Sequence, residues 1–280
     1  MSTHEPTSPW WLSGTPLEAE HHKLMQRRAA DVPWQRSTAA ALSPAQRERA
    51  ARTWRTRSQA EYMAVSTFSV LSMDLCAAGV PADFLTSVHQ AAIDEVRHAE
   101  LCVRLASLYS GQPETPPLGL SDLPDDPARP KRLQALANAL LVSCVAETYA
   151  TSVVAAMRDV AVDPCVQTVL RIIYADEIRH ARLGWAFLSW SLRESGADAV
   201  AAAADMVPVA VKACANVVET PRPDGDIDAE LRGHGLVGPA EERLLFAQVV
   251  REVLAPGFAA VGVPAGSIVA DYGEAWVAAA

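Results

Sequence analysis

Glycine is scarce in this chain, 14 of 280 residues, while alanine recurs in long runs. That balance favours helices over strands and predicts an all-α fold. There is no stripe of Lys and Arg, and the formal net charge is −9, so nucleic acid is not an expected partner. No unbroken apolar run reaches the ~18 residues that a bilayer-spanning helix needs, so no membrane is expected either. The opening "MSTHEPTSPWWLSG" has no charged segment followed by an apolar one, so no signal peptide is expected. There is no C-x-x-C, and the five cysteines (Cys76, Cys102, Cys144, Cys165, Cys214) are odd in number and scattered. They read as reduced thiols in a cytoplasmic protein. What the chain does have is apolar mass: half of its residues, enough for a sizeable core.

Punctuation divides this mass into helices. Thr15 and Glu18 have the spacing of a capping pair and open a short helix. Ser43 as N-cap, Pro44 at the first helical position and Gly79 as a stop enclose a helix of about 35 residues. A second long helix runs from about Pro81 to Gly111. The proline-dense "GQPETPPLGLSDLPDDPARP" is a loop. A third helix covers about 130–161. A fourth, capped by Asp163 with Pro164 at its first position, runs to about Glu194. A fifth spans about 197–218, with a kink expected at Pro208. After a second loop, "ETPRPDGDIDAELRGHGLVGP", a sixth helix begins at "PAEERLLFAQVV", and a short one ends the chain.

The four long helices form two hairpins, 44–110 and 130–194, each closed by a short Pro-containing turn, and short turns join antiparallel neighbours. The hairpins repeat each other. "AEYMAVST" at 60–67 matches "AETYATSV" at 146–153, and "DEVRHAEL" at 94–101 matches "DEIRHARL" at 176–183. The predicted organisation is an N-terminal extension (1–43), a duplicated four-helix bundle (44–194) and C-terminal helices (195–280) packed on the same domain.

The repeat carries chemistry. Glu95 and His98 are three apart and share a helix face, and Glu177 and His180 repeat the pair. Each hairpin has one further glutamate on its first helix, Glu61 or Glu147. Measured from the turns, these lone glutamates fall within roughly 4–6 Å of the height of their E-x-x-H partners. Four carboxylates and two imidazoles therefore converge, the ligand set of a two-metal site in a helical bundle. Four carboxylates balance two divalent cations. Oxygen-rich donors with imidazole suit iron or manganese and argue against a thiolate zinc site. Asp94 and Asp176 can hydrogen-bond a ligand histidine, four residues on or across the bundle, with Arg97 and Arg179 neutralising them. Tyr174, three before Glu177, faces the same way and is a candidate catalytic residue, to donate to a ligand or handle electrons, or else a packed helix tyrosine. Phe68 and Val154 can wall a pocket or fill core, and Cys144 reads as a small apolar filler. His89 lies on another face from Glu95; His4, His21, His22 and His234 read as surface.

On these residues, 44–194 resembles the ferritin-like di-iron carboxylate superfamily. The resemblance implies a ferritin-like bundle in which Glu61, Glu95, His98, Glu147, Glu177 and His180 bind two irons, Fe/Fe or Mn/Fe. It implies O₂ as co-substrate and an oxidation of a small organic molecule: hydroxylation, N-oxygenation or desaturation. It further implies an external electron donor, a ferredoxin or flavin reductase. The multicomponent hydroxylases of that superfamily carry a threonine four residues after the third-helix glutamate, and Thr151 holds that place. The aminoarene N-oxygenases carry an extra histidine where this chain has Ile173. A bacterioferritin-like ferroxidase is the alternative. The long loops argue against a tight spherical shell, so a monomer or homodimer is expected.

Overall fold

The computed structural model describes residues 15–29, 31–121, 123–220, 227–273 and 276. Among them there is no strand. In chain order the helices are α1 (Pro16–Ala29), α2 (Pro44–Ala78), α3 (Ala82–Ser110), α4 (Lys131–Ala139), α5 (Glu147–Val160), α6 (Pro164–Glu219), α7 (Ala229–Gly233), α8 (Pro239–Val249), α9 (Ala255–Ala260) and α10 (Gly266–Tyr272). Two short 3₁₀ turns, Trp34–Arg36 and Ala39–Ala41, lead into α2.

The boundaries follow from capping chemistry. Ser43 accepts from the Gln46 amide, and the Gln46 side chain accepts from the Ser43 amide, closing a reciprocal cap on α2. Gly79 ends that helix at φ 67°, a left-handed conformation that costs a residue without Cβ nothing. Asp163 caps α6 by accepting from the amides of Cys165 and Val166. Its other oxygen accepts from Ser37 Oγ, Thr38 N and Thr38 Oγ1, which fastens the segment before α2 to the α5–α6 turn.

The expected third helix is continuous but not uniform. Between α4 and α5 the seven residues Leu140–Ala146 are wound as a π-helix, which inserts an extra residue immediately before Glu147. A second π segment, Val250–Leu254, joins α8 to α9. The fourth and fifth helices are the two arms of α6, broken at Gly196 (φ 56°, ψ −131°). Pro208 lies inside the second arm. The short α7 lies in a stretch expected to be loop.

Packing builds two hairpins, α2 with α3 and α4–α5 with α6. They meet with α2 along α4 and α3 along α6. One apolar core gathers Phe68, Leu71, Leu140, Phe187, Val211 and Phe258; the other gathers Trp54, Leu101, Val154, Val166, Leu170 and Leu236. Helices α8–α10 complete the first with an aromatic group in which Phe246 meets Tyr149, Tyr272 and Trp276. Two stretches, Lys131–Val160 and Pro164–Glu219, are long and apolar enough to cross a membrane, against the expectation drawn from unbroken runs. In the first, the most apolar part is 56% buried, and a helix packed on several sides needs few charges; in the second it is 33% buried.

Candidate metal centre

Two groups of buried donors face each other between the hairpins. Glu61, Glu95, His98 and Glu177 can place one ligand atom each within 4.8 Å of one another, and so can Glu95, Glu147, Glu177 and His180. Each group can hold a metal ion. Their union is the set of six residues expected from the repeat, and none of the six is more than 8% exposed.

Glu95 and Glu177 belong to both groups, and each divides its two oxygens between them. Glu95 Oε2 lies 3.4 Å from His98 Nδ1, and its Oε1 lies 2.9 Å from His180 Nδ1. Glu177 Oε1 lies 3.7 Å from His98 Nδ1, and its Oε2 lies 3.2 Å from His180 Nδ1. Glu61 approaches His98 alone at 3.8 Å, and Glu147 approaches His180 at 3.8 Å. Two adjacent positions therefore share two carboxylates, with one terminal glutamate and one histidine apiece.

The donors fit a metal better than they fit one another. Both oxygens of Glu95 and Nδ1 of His98 are buried without a hydrogen bond, although they sit at ion-pair distance. Leaving such groups unpaired costs about 1–3 kcal/mol each, and a shared cation would satisfy them together.

The imidazoles are held from behind by the opposite hairpin. His98 Nε2 faces Asp176 Oδ2 at 3.2 Å, and His180 Nε2 faces Asp94 Oδ2 at 3.5 Å. The cross-bundle arrangement is thus the one formed. A proton on Nε2 leaves Nδ1 free to face the carboxylates. Arg97 bridges Asp94 and Asp176, as does Arg179, and Gln90 donates to Asp94 at 2.9 Å. Asp94 and Asp176 are held below the usual carboxylate range by these partners, against the opposing effect of burial.

In the metal-free chain the site neutralises itself with protons. Burial pushes the Glu61 carboxyl up to about 8, opposed by Arg57 and reinforced by Glu95 and Glu177. Burial, with the Glu177 charge added, pushes Glu147 well above the usual range. Glu95 and Glu177 stay ionised despite burial and mutual repulsion, Glu95 through the charge of His98, Glu177 through hydrogen bonds from His180 and Glu147. His98 rises to about 10 because carboxylates outweigh its burial, and His180 rises well above its ordinary value for the same reason. Two divalent ions must therefore displace protons from the groups whose values are raised, Glu61, Glu147, His98 and His180. Protons should leave on loading, and affinity should fall as the pH drops through about 8, where Glu61 takes up its proton. Calorimetry in buffers of different ionisation enthalpy reads the release directly. Loading with no net proton release would show that the donors are not the ligands.

The remaining expectations divide. Phe68 packs edge-on against His180 with ring centroids 5.2 Å apart, so it walls the site. Val154 and Ile173 are core, and Cys144 is buried. The Thr151 hydroxyl donates to the Glu147 carbonyl at 2.7 Å, and the Tyr174 ring lies under the Arg158 guanidinium at 4.3 Å. His89 meets Ser72 at 3.1 Å, away from the donors. His22 reaches Glu18 as a surface residue does. His234 corrects its surface assignment: it is buried, with Nδ1 2.8 Å from the Tyr109 hydroxyl, because the loop after α7 folds into the second core. His21 is also drawn in, 3.3 Å from the buried Glu100. His4 lies outside the described residues. The repeat gave no sign of Arg57, whose Nε lies 3.0 Å from Glu61 Oε1. Its spacing of four from Glu61 was the available signal. No protein-family profile, curated protein or solved structure matches the chain.

Proposed function

We propose that this chain is a ferritin-like, O₂-dependent di-iron oxidoreductase that oxidises a small organic substrate. The observation that carries the reading is the division of the Glu95 and Glu177 oxygens between two adjacent donor groups, a geometry suited to two bridged cations. Oxygen donors with two imidazoles and no thiolate favour iron, or iron with manganese. Two such ions would supply reductive activation of O₂ for hydroxylation, N-oxygenation or desaturation.

The chain's own residues do the rest. Glu61 and Glu147 would each give up a proton to hold one of the two ions. Asp94 and Asp176 hold the Nε2 protons and fix both ring orientations. Arg97 and Arg179 keep those aspartates ionised. Phe68 excludes water from one side of His180. The reading brings with it a cytoplasmic location, a ferredoxin or flavin reductase as electron donor, and a monomer or homodimer.

Iron storage is the competing use of such a site. Against it stands the covering of the packed hairpins. The loop after α3 lies on α2, where Gly119 comes close to Met63 and Gln59 and Ser121 N donates to Ser66 Oγ at 3.1 Å. Helices α8–α10 cover the α4–α6 side. Both would stand in the way of close subunit packing in a shell.

The test is a large excess of Fe(II) in air, following bound iron and particle size. Two irons per chain should oxidise once and then stop until a reductant is added. A soluble many-subunit particle that keeps filling with iron would decide for storage.

A further inference from the structure

One cation near the centre is left over once charges are matched. In the two-metal reading, four carboxylates offset two divalent ions, and Asp94 and Asp176 offset Arg97 and Arg179. Arg57 is not included in either balance. It sits on α2 one turn before Glu61, with its side chain 18% exposed. Its Nε approaches Glu61 Oε1 at 3.0 Å but makes no hydrogen bond, and its NH1 donates to the thioether of Met157 on α5, at 3.6 Å. A sulfur is a weak acceptor, and a guanidinium has five N–H donors. Glu242 of α8 faces the same guanidinium at longer range. Whether Glu61 carries a proton or holds a metal ion, its charge is not free to offset Arg57, although the two touch at 3.0 Å. A largely buried charge without a partner is costly.

Resting on the two-metal reading, we propose that Arg57 is a substrate anchor and that the substrate is an organic carboxylate, bound with its charge on the guanidinium one helical turn from the Glu61 ligand. The planar fork of arginine matches a carboxylate in two parallel hydrogen bonds. A carboxylate there would give the guanidinium the contact-range negative charge that Glu242, at longer range, does not. Met157, unbranched and flexible, is the contact such a ligand would displace. Arg57 then fixes which end of the substrate approaches the centre, the role of a positioning and specificity residue.

The test uses the full chain loaded with Mn(II), which does not turn over, with metal content measured first. Hexanoate and its neutral analogue hexanamide are titrated calorimetrically, with inorganic phosphate as a third arm. Hexanoate should bind and hexanamide should not. Arg57→Gln should keep its metal and lose at least about 30-fold in hexanoate affinity. Arg57→Lys, which keeps charge but not the fork, should keep its metal and fall between the two. Equal hexanoate affinity in wild type and Arg57→Gln overturns the proposal, as does equal binding of hexanoate and hexanamide. Phosphate binding as tight as hexanoate overturns the carboxylate assignment. Loss of metal in both variants shows that Arg57 serves Glu61 and overturns the anchor alone. A wild-type chain that takes up no Mn(II) overturns the two-metal reading, and the anchor with it.

Discussion

Chains carrying Glu95→Ala or Glu177→Ala are expected to emerge from anaerobic dialysis against Fe(II) with almost no bound iron, whereas Glu61→Ala and Glu147→Ala should each keep one ion. The asymmetry follows from membership. Glu95 and Glu177 supply an oxygen to both donor groups, while Glu61 belongs to the His98 group and Glu147 to the His180 group. Removing a shared carboxylate strips both positions of an anionic donor. It also leaves His98 and His180 without the charge that now balances them. Removing a terminal glutamate damages one position and spares the other. Elemental analysis of the dialysed protein separates the two cases. Four variants that lose iron equally would show that the carboxylates are not shared.

Gly184→Val should damage the fold and the site together. A Cβ at Gly184 would lie 2.6 Å from Cys144 N, Ser143 C and Ser143 Cβ. Two of those atoms are backbone of the π segment, so no flexible side chain can move aside. Overpacking of this kind costs about 3 kcal/mol or more, a fall of roughly 6–12 °C in Tm for a chain of this size. Because the π segment runs directly into Glu147, the variant should also bind its second metal ion less tightly. Gly266→Ala is the control. Its added Cβ meets nothing within 4 Å, and Gly266 opens α10 in helical conformation, so little change in Tm is expected. A Gly184→Val chain as stable as Gly266→Ala would mean that α6 and the π segment are not pressed together as described.

Much of this architecture was legible along the chain because its signals are local. Ser43, Pro44, Gly79 and Asp163 act within one turn of their own positions, and the helix ends fell where they stood. The E-x-x-H pairs share a face by helical geometry alone, so Glu95 with His98 and Glu177 with His180 needed no tertiary information. Signals failed where they depended on distant partners. His234 looks like a loop residue, and only the return of its loop onto α3 buries it against Tyr109, 125 residues away. The break between the two arms of α6 falls at Gly196, between the expected fourth and fifth helices, where a positive φ is sterically free.

The sequence by itself determined an all-helical chain, two repeated hairpins, and six donors at matched heights, because capping, helical period and rise are properties of single helices. The tertiary structure decided what those donors do to one another. It divided the Glu95 and Glu177 oxygens between two positions, crossed Asp94 to His180 and Asp176 to His98, and wound a π segment ahead of Glu147 where Gly184 lets α6 approach. It also set Arg57 beside Glu61 with a thioether for its other partner. Distances between side chains on different helices depend on how the hairpins pack, and packing is settled by both cores at once, which no single stretch of sequence contains.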